Sequence, residues 1–144
     1  MKHILQLIPH RFPFILIDRI LNYENKRFIR SIKNITINDP WLQGHFPKFH
    51  IFPAVLILES IVQSGIILLS IIQSNLFYKE GFYCITNINN TIFKKFIVPG
   101  DTLIIEVQII NIRKNTFLLC GSILLDNTIV CTSNIVCKYI FYVH

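Results

Sequence analysis

Pro53-Ala54-Val55-Leu56-Ile57-Leu58-Glu59-Ser60-Ile61-Val62-Gln63-Ser64-Gly65-Ile66-Ile67-Leu68-Leu69-Ser70-Ile71-Ile72-Gln73-Ser74-Asn75 is the stretch on which the fold turns. Proline suits the first position of a helix, because the N–H it lacks would have no intrahelical partner there. Ala54–Asn75 then runs without proline, roughly six turns at about 3.6 residues each. Apolar side chains surround the whole cylinder rather than one stripe, from Val55 and Leu56 to Ile71 and Ile72. A helix that is hydrophobic all round is a buried helix. A small domain can bury one only by wrapping something around it. The charge-free run Ser60–Tyr78 has about the length of a membrane span. It also carries Gln63, Gln73, Asn75 and four serines, with Glu59 directly before it, so a buried helix of a soluble protein is the better reading.

The wrapping material lies on both sides. Residues 1–9 suit a short helix ending at Pro9. Phe14–Asn22 and Lys26–Ile35 read as strands joined by a turn at Tyr23–Asn25. Thr36–Phe52 is irregular and rich in turn formers. After the helix, Phe82–Asn87, Thr91–Ile97, Thr102–Arg113, Thr116–Asp126 and Thr128–Phe141 read as strands. Pro99-Gly100-Asp101 is a turn, with Gly100 where a type II turn needs positive φ. Asp126-Asn127 suits a tight hairpin. The pattern predicts an α+β domain, an antiparallel sheet packed on one long central helix.

The chain has 144 residues, which suits one domain over 1–144. With 52% hydrophobic and 15% charged residues, disorder is excluded. The 29 Ile and 12 Asn beside a single Ala resemble the product of A+T-rich codons, so raw β-propensity is discounted. The apolar surplus points to a ligand tunnel or a subunit interface. The net charge is +6, and residues 1–35 carry +5 of it. A basic balance favours an anionic partner. Nucleic acid is disfavoured, for there is no zinc spacing, RNA-binding aromatic signature or Lys/Arg-rich run. A small acidic protein or a phosphorylated ligand fits the charge. Cys84, Cys120, Cys131 and Cys137 form no CxxC pair and read as buried free thiols in a reducing compartment, with no metal site or disulfide framework. The apolar run Ile4–Ile8 is too short for a secretory signal.

Two groups carry chemistry. Glu59 is the only charged residue between Lys48 and Lys79, in the second turn of the buried helix. A buried carboxyl must find partners or take up a proton. A protonated Glu near neutral pH is a ready general acid. Gln63, four residues on, shares its face and can orient it. His45 sits in Gln43-Gly44-His45-Phe46-Pro47, where Gly44 permits a tight backbone and Pro47 stiffens the exit. A His base and a neutral Glu acid are what a dehydration needs. The amides that open the Pro53 helix suit a developing oxyanion. His10, beside Pro9, reads as structural.

Four motifs point to a family. Pro9-His10-Arg11-Phe12-Pro13-Phe14-Ile15-Leu16-Ile17-Asp18-Arg19 resembles the opening motif of the β-hydroxyacyl-[acyl carrier protein] dehydratases of bacterial fatty acid synthesis. Gln43–Pro47 is similar to their catalytic-histidine loop, Leu56–Gln63 to their helix with the catalytic Glu, and Val98–Asp101 to a turn they share. The step from His45 to Glu59 is also the family's. The resemblance implies a hot-dog fold, a homodimer often assembled into a trimer of dimers, and no metal or organic cofactor. Each active site would lie at the dimer interface, with His45 from one subunit and Glu59 from the other. The substrate would be a (3R)-3-hydroxyacyl thioester on acyl carrier protein, in the cytoplasm, with product feeding fatty acids and lipid A. His45 would take the C2 proton, and Glu59 would protonate the leaving hydroxyl. Gly44, Ala54, Gln63 and Tyr83 would bind substrate, the Ala54 N–H holding the thioester oxygen and Tyr83 lining the acyl tunnel. Lys94 and Lys95 would meet the acidic carrier protein.

The chain departs from the family's pattern at several positions. Lys48 and Ala54 stand where glycine is usual, His50 and Phe96 where proline is, and Asn89 and Ile92 where an acid and a base often are. The Ala54 methyl is expected to crowd the thioester, and to strain the backbone if that position needs φ > 0. Two other readings are a hot-dog thioesterase or hydratase, and a non-catalytic subunit that binds acyl carrier protein.

Overall fold

The central helix α1 spans Ala54–Gln73 and is buried from Ile57 to Ser70 except at Glu59. The structure is a computed structural model that describes residues 3–24, 26–73 and 80–143. The expected helix end at Ser74–Asn75 lies outside the described residues. Six antiparallel strands form one sheet in the order β1-β2-β4-β5-β6-β3. They are β1 (Arg19–Glu24), β2 (Phe28–Asn34), β3 (Gly81–Phe93), β4 (Thr102–Arg113), β5 (Thr116–Leu125) and β6 (Thr128–Phe141). This is the sheet-on-helix arrangement of the expected hot-dog fold.

Alternation sets which strand faces meet the helix. In β5, Phe117, Leu119, Gly121, Ile123 and Leu125 are buried, and the residues between them turn outward. A side chain on Gly65 would collide with Leu119, and one on Gly121 with Ile61, so these two glycines let α1 lie close on β5. Ser64 Oγ meets Ser31 Oγ of β2 at 2.5 Å, so two small polar groups satisfy each other inside the apolar core. The same alternation buries Lys33, whose ammonium lies 3.4 Å from Asp39 and 3.9 Å from Asp18. That cluster ties β2 to the irregular loop after it.

The sheet covers only part of α1. The rest is closed by a strap, residues 7–18, which buries Leu7, Ile8, Leu16 and Ile17. Side chains of α1 satisfy the strap's backbone. Ser70 Oγ donates to the Leu7 carbonyl at 2.6 Å, Gln63 Nε2 to the Phe14 carbonyl at 2.9 Å, and the Leu16 amide to Gln63 Oε1 at 2.9 Å.

The strap corrects three expectations. The helix expected over residues 1–9 is a single 3-10 turn at Ile4–Gln6. The strand expected at Phe14–Asn22 begins only at Arg19, because the backbone at Phe14 and Leu16 bonds a helix side chain, and bonding to β2 starts at the Asp18 amide. The following turn shifts past Glu24: the Arg27 amide closes it on the Glu24 carbonyl at 3.1 Å, with Lys26 at φ 56°. Elsewhere Phe82–Asn87 and Thr91–Ile97 are one strand, β3, ending at Phe93. The expected gap is a bulge between Asn89 and Ile92, with Asn90 at φ 49°. Asp126 (φ 51°) and Asn127 (φ 62°) are both left-handed, as a type I′ hairpin requires, and Gly100 sits at φ 95°. Of the four thiols, Cys131 and Cys137 are buried, but Cys84 is half-buried and Cys120 exposed, since the latter falls on the outward register of β5.

Candidate active site

Glu59 is placed by the rigid part of the molecule. It projects from the second turn of α1, and its side chain is 18% exposed. Gln63 Nε2 donates to Glu59 Oε1 at 3.1 Å. Gln63 is itself fully buried, and its remaining polar capacity is taken by the Leu16 amide and the Phe14 carbonyl. Its amide therefore cannot flip, and the donor it offers Glu59 is fixed. The hydrogen bond expected between Gln63 and Glu59 is present.

A second group approaches the same oxygen. His10 Nε2 lies 3.3 Å from Glu59 Oε1, its ring stacked 6.1 Å from Phe14. Reading the sequence alone assigned His10 no part in the chemistry. The signal was there: His10 is an irregular-segment histidine beside prolines, as His45 is. The strap that carries it also holds the cis Phe12–Pro13 peptide. Phe14, Trp41 and Phe52 continue the aromatic cluster edge to face.

His45 is placed by a loop. Its amide donates to the Trp41 carbonyl at 2.9 Å, and its Nδ1 lies 2.8 Å from the Ile51 carbonyl. A carbonyl can only accept, so Nδ1 carries a proton, and in the neutral ring the lone pair lies on Nε2. The ring is half-buried, 4.4 Å from that of Phe46. His50 repeats the device, its Nδ1 lying 2.7 Å from the Leu42 carbonyl and bridging the two ends of the loop.

The tight point of the loop is not where the sequence suggested. Gly44 has no left-handed φ and nothing within 4 Å of where a side chain would stand. The left-handed residue is Phe46, at φ 60°. What Gly44 provides is open space above the backbone beside His45.

Ala54, the first residue of α1, is exposed and does not have positive φ, so the expected backbone strain is absent. Its methyl points to open surface, beside Val55 at 70% exposed. The first main-chain bonds of the helix come from Leu56 and Ile57 to the Pro53 carbonyl, so the Ala54 and Val55 amides precede the hydrogen-bonded turn.

Tyr83 lies elsewhere. It packs against Phe117 and Tyr139 and lines a cleft of about 240 Å³ with Leu69 and Gln73, near the far end of α1. Leu69 is ten residues from Glu59, about 15 Å along the axis. Burial, with Tyr139 and Cys137 nearby, pushes the Tyr83 phenol up to about 12, so it stays a neutral donor. Burial first, then the Glu59 carboxylate, pushes the Cys137 thiol up to about 12. Lys94 and Lys95 are exposed on the segment that leaves β3. That segment runs beside the His45 loop: the Phe52 amide donates to the Ile97 carbonyl at 2.7 Å, and the Phe49 and Phe96 rings meet at 6.2 Å. Among the described residues no three His, Cys, Asp or Glu side chains gather as a metal would require.

Comparison with known proteins gives the chain's family and fold. Residues 8–134 match the FabA-like domain family. The chain is 40% identical to the 3-hydroxyacyl-[acyl-carrier-protein] dehydratase FabZ of Buchnera aphidicola subsp. Acyrthosiphon pisum, covering 97% of this chain and 93% of that protein. It is 42% identical to the FabZ of Yersinia enterocolitica, covering 94% and 80%. Among solved structures, the dehydratase heterocomplex ApeI:P from Xenorhabdus doucetiae matches with a TM-score of 0.81 at 13% identity, over 97% of this chain and 92% of that one. A hypothetical thioesterase from Streptococcus pneumoniae, solved with coenzyme A, matches at 0.61 and 10%, over 88% of each. The two structures share the fold, and the sequence relatives carry the assignment: this chain belongs to the FabA-like family, in its FabZ dehydratase group.

Proposed function

We propose that the chain, as one hot-dog domain over 1–144, dehydrates (3R)-3-hydroxyacyl-[acyl carrier protein] to the trans-2-enoyl thioester in fatty acid biosynthesis. The observation that carries this reading is the way the two groups are held. His45 Nδ1 donates to the Ile51 carbonyl, which in the neutral ring leaves the lone pair on Nε2. Glu59 is half-buried with one oxygen held by Gln63, as a positioned acid should be. His45 Nε2 takes the proton from C2. The C3–O bond breaks, and the hydroxyl leaves as water with the proton of Glu59. Charge that builds on the thioester oxygen meets the Ala54 amide at the positive end of α1. Gly44 leaves the backbone beside His45 open to the substrate. Tyr83, about three turns down the helix, lines the far part of the acyl path.

Two surfaces support the assembly and the partner. β3 is an edge strand of 13 residues that presents Phe82, Ile88, Ile92 and Phe93 to solvent. A long apolar edge is a template for pairing with another chain. It suits a homodimer whose site takes His45 from one subunit and Glu59 from the other, with a trimer of dimers as the larger assembly. Lys48, Lys94 and Lys95 are exposed beside Phe49 and Phe96, a basic and aromatic rim next to the His45 loop. It suits the acidic carrier protein that delivers the acyl chain, in the cytoplasm, with product also available for lipid A. The one helix long and apolar enough to cross a membrane, among the described residues, is the core helix α1.

The test is hydration and dehydration of a crotonyl group on carrier protein, followed by mass spectrometry. The expected result is interconversion by the wild type, reduced about 10²–10⁴-fold in both His45→Ala and Glu59→Gln. Release of free acid instead of water addition would indicate hydrolysis and overturn the reading. So would carrier-protein binding by the folded wild type without turnover.

A further inference from the structure

We infer that His10 is a positioning residue for Glu59, and that together with Gln63 it occupies one carboxyl oxygen so that the transferable proton resides on the other. The inference rests on the reading of Glu59 as the acid and adds a residue to it.

Both neighbours converge on Oε1: Gln63 Nε2 at 3.1 Å and His10 Nε2 at 3.3 Å. An oxygen that faces two nitrogens able to donate is the poorer place for a proton, so Oε2 is the oxygen left for the proton that Glu59 transfers. The two nitrogens are held by one element, the strap. Gln63 is locked by the strap's backbone at Phe14 and Leu16. His10 is carried on the strap itself, its ring against Phe14, and the Arg11 guanidinium caps the His10 carbonyl at 2.7 Å. The strap is thus the element that sets both distances at once.

The other face of the His10 ring argues against a purely structural part. Its Nδ1 is buried with no hydrogen-bond partner among the described residues. A buried nitrogen without a partner calls for an explanation, and the aim of the ring at Glu59 supplies one. Here the ring is held by Phe14 and aimed at Glu59, at the cost of one unsatisfied nitrogen. The approach to Glu59 is close but not aligned as a hydrogen bond, which is common in catalytic sites before substrate arrives.

The test compares the parent with His10→Ala, His10→Gln, Glu59→Gln and the double variant His10→Ala/Glu59→Gln, measuring kcat and KM on hydroxyacyl carrier protein. His10→Ala is expected to lower kcat about tenfold, with KM within about twofold, because the acid is misplaced while substrate binding is untouched. Glutamine can present an N–H to Oε1, so His10→Gln should recover most of kcat. In the Glu59→Gln background, adding His10→Ala should cost nothing further, since the residue acts only through the acid. Additive losses, a His10→Gln as slow as the alanine variant, or parental kcat in His10→Ala would overturn the inference. Parental turnover in Glu59→Gln would instead overturn the assignment of Glu59, and the inference with it, without reference to any His10 variant.

Discussion

The two halves of the candidate site are held by opposite means. Glu59 stands on a helix buried from Ile57 to Ser70, and its orientation is set through Gln63 by Phe14 and Leu16, residues nearly fifty positions away from that glutamine. His45 stands on a loop, and its ring is set by a carbonyl six residues on, with His50 bracing the same loop over eight residues. One half is tertiary structure, the other nearly local. The difference predicts how each fails. Damage around Glu59 should lower stability and activity together, and damage around His45 should lower activity with little effect on stability.

The largest effect outside the two reacting groups is expected at Gln63. Gln63→Leu keeps the volume but strands the buried Leu16 amide and the Phe14 carbonyl. Each stranded group costs about 1–3 kcal/mol, so the variant should lose roughly 3 kcal/mol. For a chain of this size that is about 10 °C in Tm. Turnover should fall as well, because Glu59 Oε1 loses its donor. Thermal melts beside kcat measurements check both. An unchanged Tm would mean that burial of Leu7, Ile8, Leu16 and Ile17 alone holds the strap, and the contrast between the halves would be weaker than drawn.

The same contrast explains what could be read from the sequence. The ends of β4 and β6 and the start of α1 were legible, because hairpin turns and Pro53 mark them locally. His45, Glu59 and Gln63 could be picked out as candidates from residue type and setting. The strap was not. Phe14–Asp18 has the apolar content of a strand, and nothing local says that its backbone at Phe14 and Leu16 will bond a glutamine side chain before Asp18 reaches β2. His10 was missed for the same reason, since its partner is 49 positions away. The tight backbone of the histidine loop was attributed to Gly44, yet the left-handed residue is the exposed Phe46. The split of β3 failed on a bulge, where Asn90 turns left-handed and the strand resumes.

A smaller effect is expected at His50. Removing its ring in His50→Ala frees the two ends of the loop and leaves the buried Leu42 carbonyl without that partner. One hydrogen bond fewer costs about 1 kcal/mol, which is a Tm change of a few degrees. Turnover should fall about fivefold through a looser His45. His50→Pro makes the same deletion but stiffens the backbone covalently, so it should retain more activity than the alanine variant. Equal losses in the two would show that the ring's hydrogen bond, not loop stiffness, is what His45 needs.

The smallest effect is expected at Ala54, where the contrast between the halves meets. The residue ends the loop side and begins α1. A methyl there would strain the backbone only at positive φ, which Ala54 lacks, and its side chain is exposed. Only crowding of the thioester remains as a cost. Ala54→Gly should therefore raise turnover by no more than about threefold, equivalent to well under 1 kcal/mol of barrier. The helix start should lose only a few tenths of a kcal/mol, since the position is at the frayed first turn rather than the helix interior. The measurement is kcat on carrier-protein substrate beside a melt. A tenfold gain would mean that the methyl presses on the thioester in the bound state, and that the amide of Ala54 is held off the oxygen it should stabilise.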